Sequence, residues 1–250
     1  MTDLHCHLLP GIDDGSKDVS MSLELLRIEK RQRVDRIVFT SHYYPDDISL
    51  EKYIENRNRA YDALMSQPFN KSLFQFSLGA EVKFSPILAQ QDLRQLTFTG
   101  TDYMLMEFDF YNRPAFLEEV FDEIKAQGIT PVIAHIERYE WLSDYTELYD
   151  WVKNRGFVIQ SNSGALLHNR ETRNEILQLM EWNLIHVLST DAHNTTKRTP
   201  NLLEGMKVIT EYLGEEKATE IMRNGNAVFK GLRPVSDEPY CPKKKRKGWV

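Results

Sequence analysis

The stretch IHVLSTDAH (Ile185–His193) opens on an apolar, β-branched run and closes on an acid and an imidazole. The opening reads as a buried strand. In an extended chain residues two apart point to the same side, so Asp191 and His193 would face one way at the carboxyl end. Six other segments share this plan: TDLHCH (Thr2–His7), RIVFTSH (Arg36–His42), FQFSLGAE (Phe74–Glu81), YMLMEFDF (Tyr103–Phe110), TPVIAH (Thr130–His135) and FVIQSNS (Phe157–Ser163). Helix patterns fill the gaps. The first carries Met21, Leu25 and Ile28 with Leu23 and Leu26, and AFLEEVFDEIKAQG (Ala115–Gly128) follows a proline and stops at a glycine. Leu50–Met65, Tyr145–Asn154, Thr172–Trp182 and Leu202–Leu213 supply the others. Strand and helix alternating along the chain predict parallel strands with crossover helices, as a closed or nearly closed (β/α)7 barrel, with an open doubly wound sheet as the alternative. No linker divides the units, so one domain is expected over residues 1–231, followed by a tail over 232–250.

Polar residues recur at the strand ends. His5 and His7 would face together on the first strand while Cys6 points away; alone, His-x-His is a weak sign of metal binding. His42, Glu81, Glu107 and His135 end four more strands, and Asp191 and His193 end the last. In a β/α barrel such ends converge on one mouth, where the chemistry sits. A ring of buried charges is costly unless a cation neutralises it, so a metal cluster is expected. Five histidines and three carboxylates exceed the about four to six ligands of one ion, which points to two or three ions. Imidazole with oxygen suits manganese, iron or zinc. Asp13 and Asp14, in the loop after the first strand, are further ligand candidates, and one of them could instead cap a turn before Gly15.

Arg138 and Arg198 fall in loops at the same mouth, and guanidinium groups beside metals suit a phosphate substrate. Such a site hydrolyses a phosphate ester by attack of a metal-activated hydroxide, without a protein nucleophile. A cysteine-dependent phosphatase is excluded, because Cys-x5-Arg needs arginine six positions on, where Cys6 finds Ile12 and Cys241 finds Lys247. A net charge of −6 gives no reason to expect nucleic-acid binding. Two distant cysteines, no long apolar span and no visible leader fit a cytoplasmic protein. Neither G-x-G-x-x-G nor a P-loop motif occurs, which weakens nucleotide-fold readings. Lys243–Lys247 is a run of five basic residues. It suits a nuclear import signal, a polyanion or transient membrane-surface contact, although a solvated terminus is the plainer reading.

The motifs DLHCHLLPGIDDG, TSHYYP, GAEVKF, MEF, VIAHIERY and STDAHN resemble those of the polymerase and histidinol phosphatase (PHP) superfamily. Within it they are most similar to the bacterial manganese-dependent tyrosine-protein phosphatases of capsular and exopolysaccharide synthesis. The resemblance runs from Met1 to about Gly231, and LPGIDDG and HIERY are its specific parts. It implies a distorted barrel of the PHP type with three metal ions. One would be held by His5, His7, Glu81 and Asp191, a second by Glu81, Glu107 and His135, and a third by Asp14, His42 and His193. Arg138 and Arg198 match arginines that bind substrate phosphate. The implied substrate is phosphotyrosine on a cognate bacterial kinase that controls polysaccharide assembly. His168 and His186 match no motif and read as structural or surface residues, while Asn162 is a weaker candidate for lining the site. Two alternatives remain: a phosphatase for histidinol phosphate or another small phosphomonoester, and a non-catalytic polyanion-binding regulator.

Overall fold

The computed structural model describes residues 1–142 and 144–241; the Lys243–Lys247 run lies outside the described residues. Among the described residues every strand pairing is parallel. One sheet has the order β1 (Thr2–Cys6), β2 (Arg36–Phe39), β4 (Gln75–Leu78). The other runs β3 (His42–Tyr43), β5 (Glu81–Lys83), β6 (Tyr103–Glu107), β7 (Thr130–Ile133), β8 (Val158–Asn162), β9 (Val187–Ser189).

Among the described residues nine strands stand where seven are expected, because two of the seven are broken. Thr40–Ser41 separates β2 from β3, and Gly79–Ala80 separates β4 from β5, its immediate neighbour. The freed carbonyls find other donors, as buried backbone groups must. Glu81 N–H bonds to the Thr40 and Ser41 oxygens, Tyr53 Oη–H donates to Ser41 O at 2.8 Å, and buried Arg57 donates to Gly79 O at 3.0 Å. Side by side, the two breaks split one parallel sheet into two. At the other edge β9 meets β1 through a single parallel bridge, Cys6–Ala192, so the strand ladders do not close a complete barrel.

Six α-helices lie between strands in the chain, α1 (Val19–Arg31), α2 (Leu50–Met65), α3 (Leu117–Ala126), α4 (Tyr145–Lys153), α5 (Ala165–His168) and α6 (Arg170–Glu181), and α7 (Leu202–Phe229) follows the last strand described. Capping side chains start several of them: Asp18 accepts from Met21 N, Ser49 from Lys52 N and Asn169 from Glu171 N. α7 continues well past the expected Leu213, interrupted at Gly214, whose φ of 86° leaves the helical region. Among the described residues no helix is long and apolar enough to cross a membrane.

Two cores follow from this layering. The larger lies between strands and helices and includes Phe39, Phe108, Phe121 and Trp151. The smaller takes Leu4, Val38, Leu105, Val132, Val158 and Val187, one from each of six strands. In the five of these six strands that lead to a candidate ligand, this inner residue precedes it in the chain. The apolar plug therefore holds the strands in register while their polar ends gather beyond it. The sheet ladder shifts between Asp3 and Cys6, an irregularity that lets Leu4 join the inner core beside His5. Residues 232–241 follow the domain surface, with Tyr240 N bonded to Trp182 O and Val235 N to Asn224 Oδ1.

Candidate metal centre

All nine candidate ligands meet at one end of the parallel strands. His5 lies on β1 and His7 just beyond it, His42 opens β3, Glu81 opens β5 and Glu107 closes β6. His135 follows β7 with φ of 29°, and Asp191 follows β9 with φ of 53°. Such left-handed backbone in non-glycine residues is sparsely populated and clusters at functional sites. Four overlapping groups form, each with ligand atoms within 4.8 Å of one another: His7, Asp14, His42, His193; His5, His7, Glu81; His5, His135, Asp191; and His42, Glu81, Glu107. Glu81 and three of the histidines each belong to two groups, so the groups share walls.

The contacts crowd imidazole nitrogens and carboxylate oxygens together; His135 Nε2 lies 2.8 Å from Glu81 Oε1. His5 Nε2 lies 3.2 Å from His7 Nε2, 3.3 Å from Glu81 Oε1 and 3.4 Å from Asp191 Oδ1. Glu81 Oε2 lies 3.1 Å from His7 Nε2 and 3.0 Å from His42 Nδ1. Yet Glu81 Oε2, His42 Nδ1 and His193 Nε2 make no aligned hydrogen bond. Buried polar atoms rarely go unpaired, and unpaired nitrogen and oxygen atoms converging on common points are the donor set of a hard or borderline divalent cation. The residues present fit a cluster of such ions.

The field inside the cluster agrees. Burial opposes ionisation of Glu81, but His5 and then His135 hold its carboxyl well below the usual range. Asp191 is lowered as well, burial again being outweighed, chiefly by His5. Burial opposes charge on His7, yet the Asp13 carboxylate raises it to about 9. His42 rises to about 11 against burial, through Asp14 and Glu107. His193 goes the other way, to about 4, through burial and the neighbouring His7. Glu81 and Asp191 thus stay charged and draw positive charge to the site.

Asp13 and Asp14 divide their work. Asp14 Oδ1 lies 3.2 Å from His193 Nε2 and 3.5 Å from His42 Nε2, within the ligand groups. Asp13 stands behind: its Oδ2 accepts from His7 Nδ1 at 2.8 Å and from His42 N at 3.1 Å, and its Oδ1 from Gly15 N at 3.0 Å. A Cβ at Gly15 would sit 2.3 Å from His7 O, so only glycine lets this loop return against β1.

Both arginines reach the rim. Arg198 Nη2 donates to Asp191 Oδ1 at 2.7 Å, and Arg138 Nη1 to Asp191 Oδ2 at 3.4 Å. Arg138 also lies 4.3 Å over the Phe110 ring. Each is 38 % exposed, and together they border a cleft of about 390 Å³ shared with Asn162, His168, Lys197 and Asn201. Asn194 Oδ1 shapes the Arg198 loop by accepting the N–H groups of Thr196, Lys197 and Arg198. His186 is buried, its Nδ1 accepting from Ile159 N, and burial lowers it to about 4; His168 stands exposed on the cleft edge.

Gln160, which lies on β8, escaped the sequence reading: it touches His5 Nδ1 and His135 N from behind the site. An amide is no usual ligand for these metals, and only its place with Asn162 on one face of VIQSN hints at the role.

Comparison with known proteins places this arrangement in context. Residues 1–230 match the family model described as capsular polysaccharide synthesis, CpsB/CapC. The tyrosine-protein phosphatase YwqE of Bacillus subtilis is 30% identical, over 99% of this chain and 98% of its own. The tyrosine-protein phosphatase CpsB of Streptococcus agalactiae is 30% identical over 92% of this chain and 98% of its own. Among solved structures, one from work on YwqE of Bacillus subtilis and CpsB of Streptococcus pneumoniae, described as unique metal-dependent tyrosine phosphatases, superposes with a TM-score of 0.85. It is 27% identical and covers 98% of this chain and 100% of that one. The chain belongs to the CpsB/CapC family of capsular polysaccharide synthesis proteins.

Proposed function

We propose that this chain is a cytoplasmic, metal-dependent protein-tyrosine phosphatase whose substrate is phosphotyrosine on the cognate bacterial kinase governing capsular or exopolysaccharide synthesis. The observation that carries the proposal is the convergence of nine nitrogen and oxygen ligands beneath two rim arginines. Relatives at 30% identity over nearly the whole chain, named tyrosine-protein phosphatases, support it. We read the catalytic unit as residues 1–231 and its two sheets as a distorted (β/α)7 barrel. The sequential strand order and the bonds Asp191 N to His5 O and His7 N to Ala192 O favour that reading.

His5, His7, Asp14, His42, Glu81, Glu107, His135, Asp191 and His193 would hold two or three ions, manganese first, iron or zinc as substitutes. When bound, the ions supply Lewis acidity and a water acidic enough to serve as hydroxide at neutral pH. Arg138 and Arg198 bind the phosphoryl oxygens in bidentate fashion and offset the charge that grows there. Asp191, held by both arginines, keeps their guanidinium groups aimed at the mouth. The Phe110 ring fixes the face of Arg138. Asp13 orients His7 through its Nδ1 proton.

The open rim favours a phosphate carried on a protein over a small ester, since Asp14 is 65 % exposed and both arginines are reachable. Steady-state kinetics on a phosphotyrosine peptide and on histidinol phosphate test the choice. A higher kcat/KM for the peptide is expected; a large advantage for histidinol phosphate would overturn it.

A further inference from the structure

We infer that Gln160 is a positioning residue that fixes the tautomer of His5 and, through Asn162, the orientation of Asp191. The deduction starts from a group whose role is unambiguous. The backbone N–H of His135 must donate, and it lies 2.8 Å from the Gln160 side chain, so the atom facing it is the carbonyl Oε1. That same oxygen lies 3.1 Å from His5 Nδ1. An oxygen that only accepts requires His5 to carry its proton on Nδ1, which leaves the Nε2 lone pair facing Glu81, Asp191 and His7.

The other half of the amide carries the polarity onward. Gln160 Nε2 must donate, and it does so to Asn162 Oδ1 at 2.9 Å. Asn162 then has only its Nδ2 for Asp191, and that atom donates to Asp191 Oδ2 at 2.9 Å. Asp191 Oδ1 is thereby turned towards His5 and His7. One backbone N–H thus orders a chain of two amides and, at its ends, two candidate ligands. Gln160 is fully buried, so water cannot replace it. His7 and His193 are fixed alike by other acceptors, Asp13 and the Asp191 carbonyl, so all three imidazoles present Nε2 to the cluster.

The inference rests on reading the cluster as a cation site. The test titrates metal-stripped full-length protein with Mn²⁺, following free ion by electron paramagnetic resonance, for wild type, Gln160→Met, Asn162→Leu and the double variant. Loss of an outer partner of this kind typically weakens metal binding by about 10–100-fold. We expect that loss in Gln160→Met and a smaller one in Asn162→Leu. The double variant should be no weaker than Gln160→Met, because one chain is cut twice. In Zn²⁺-loaded wild type, ¹⁵N-histidine spectra should show the His5 Nδ1–H protected from exchange, and Gln160→Met should lose that protection. If Gln160→Met does not fold, half-buried Asn162→Leu carries the test through its own affinity. Folded variants that bind Mn²⁺ as wild type does, or losses that simply add, would overturn the inference. Wild type that binds neither ion would overturn the underlying site reading instead.

Discussion

At the residue scale, adjacent acids with the same side chain do different jobs. Asp14→Ala removes an atom from a ligand group, whereas Asp13→Asn disturbs only the partner behind His7. Metal analysis of the Asp14→Ala variant should show less metal bound per chain than wild type. Asp13→Asn should keep the wild-type stoichiometry and lose about 10–100-fold in affinity. The reverse pattern would exchange their roles. Sequence alone left this pair open because adjacency in a loop does not say which carboxylate turns inward. The choice is made by Gly15, whose missing Cβ lets Asp13 fold back on His7. Arg198 makes a second case. It ligates nothing and neutralises Asp191 and Asp14, so Arg198→Ala leaves the negative field that attracts cations intact or stronger. Metal content should be retained while kcat/KM on a phosphotyrosine peptide falls about 10–100-fold, the worth of a charge-assisted contact of about 1.5–3 kcal/mol. Undiminished kcat/KM would remove Arg198 from phosphate binding.

At the element scale, the strand ends were the legible part. Glu107, His135, Asp191 and His193 each announce a strand's carboxyl end, and His42 and Glu81 stand just past the ends of β2 and β4, where they open β3 and β5, because such residues are costly to bury without purpose. The breaks in two strands were not legible. They arise where Arg57 and Tyr53 of α2 take carbonyls from the ladder, contacts made only after the chain has folded. α1 shows the same limit. Its apolar spacing was readable, but the buried face also includes Ser22 and Glu29. Burial raises the Glu29 carboxyl well above its ordinary value, and the nearby Asp3 adds to the shift. Asp3, also raised by burial, is the better placed to ionise because Thr190 N and His5 N donate to it. The folded chain therefore holds the Glu29 proton more tightly than the unfolded chain. That contribution is complete below about pH 4.3, the unfolded value, and is lost as pH rises through the folded one. Glu29→Gln removes this dependence. Its stability relative to wild type should grow as pH rises above about 5 in denaturant titrations. A difference constant with pH would show that Glu29 does not carry the proton.

At the scale of the whole molecule, parallel strands with intervening helices bring to one mouth residues from His5 to Arg198. Alternation along the chain made that convergence readable before any contact was known. The amide chain through Gln160 was beyond it, since its meaning depends on four strands, β1, β7, β8 and β9, meeting. The tail expected beyond Gly231 is in part a surface strap, bonded at Trp182 and Asn224. Cations that bind only the folded cluster should also stabilise the whole domain, by about 2.7 kcal/mol at a hundredfold excess over Kd. The central claim is that this cluster holds the metal on which phosphotyrosine hydrolysis depends. It is tested most directly by measuring bound metal and phosphotyrosine-peptide turnover on the same sample, before chelation, after it, and after Mn²⁺ is restored. Two or three equivalents, loss of turnover with their removal, and recovery on return are the predicted result. Turnover that persists in metal-free protein would contradict the account.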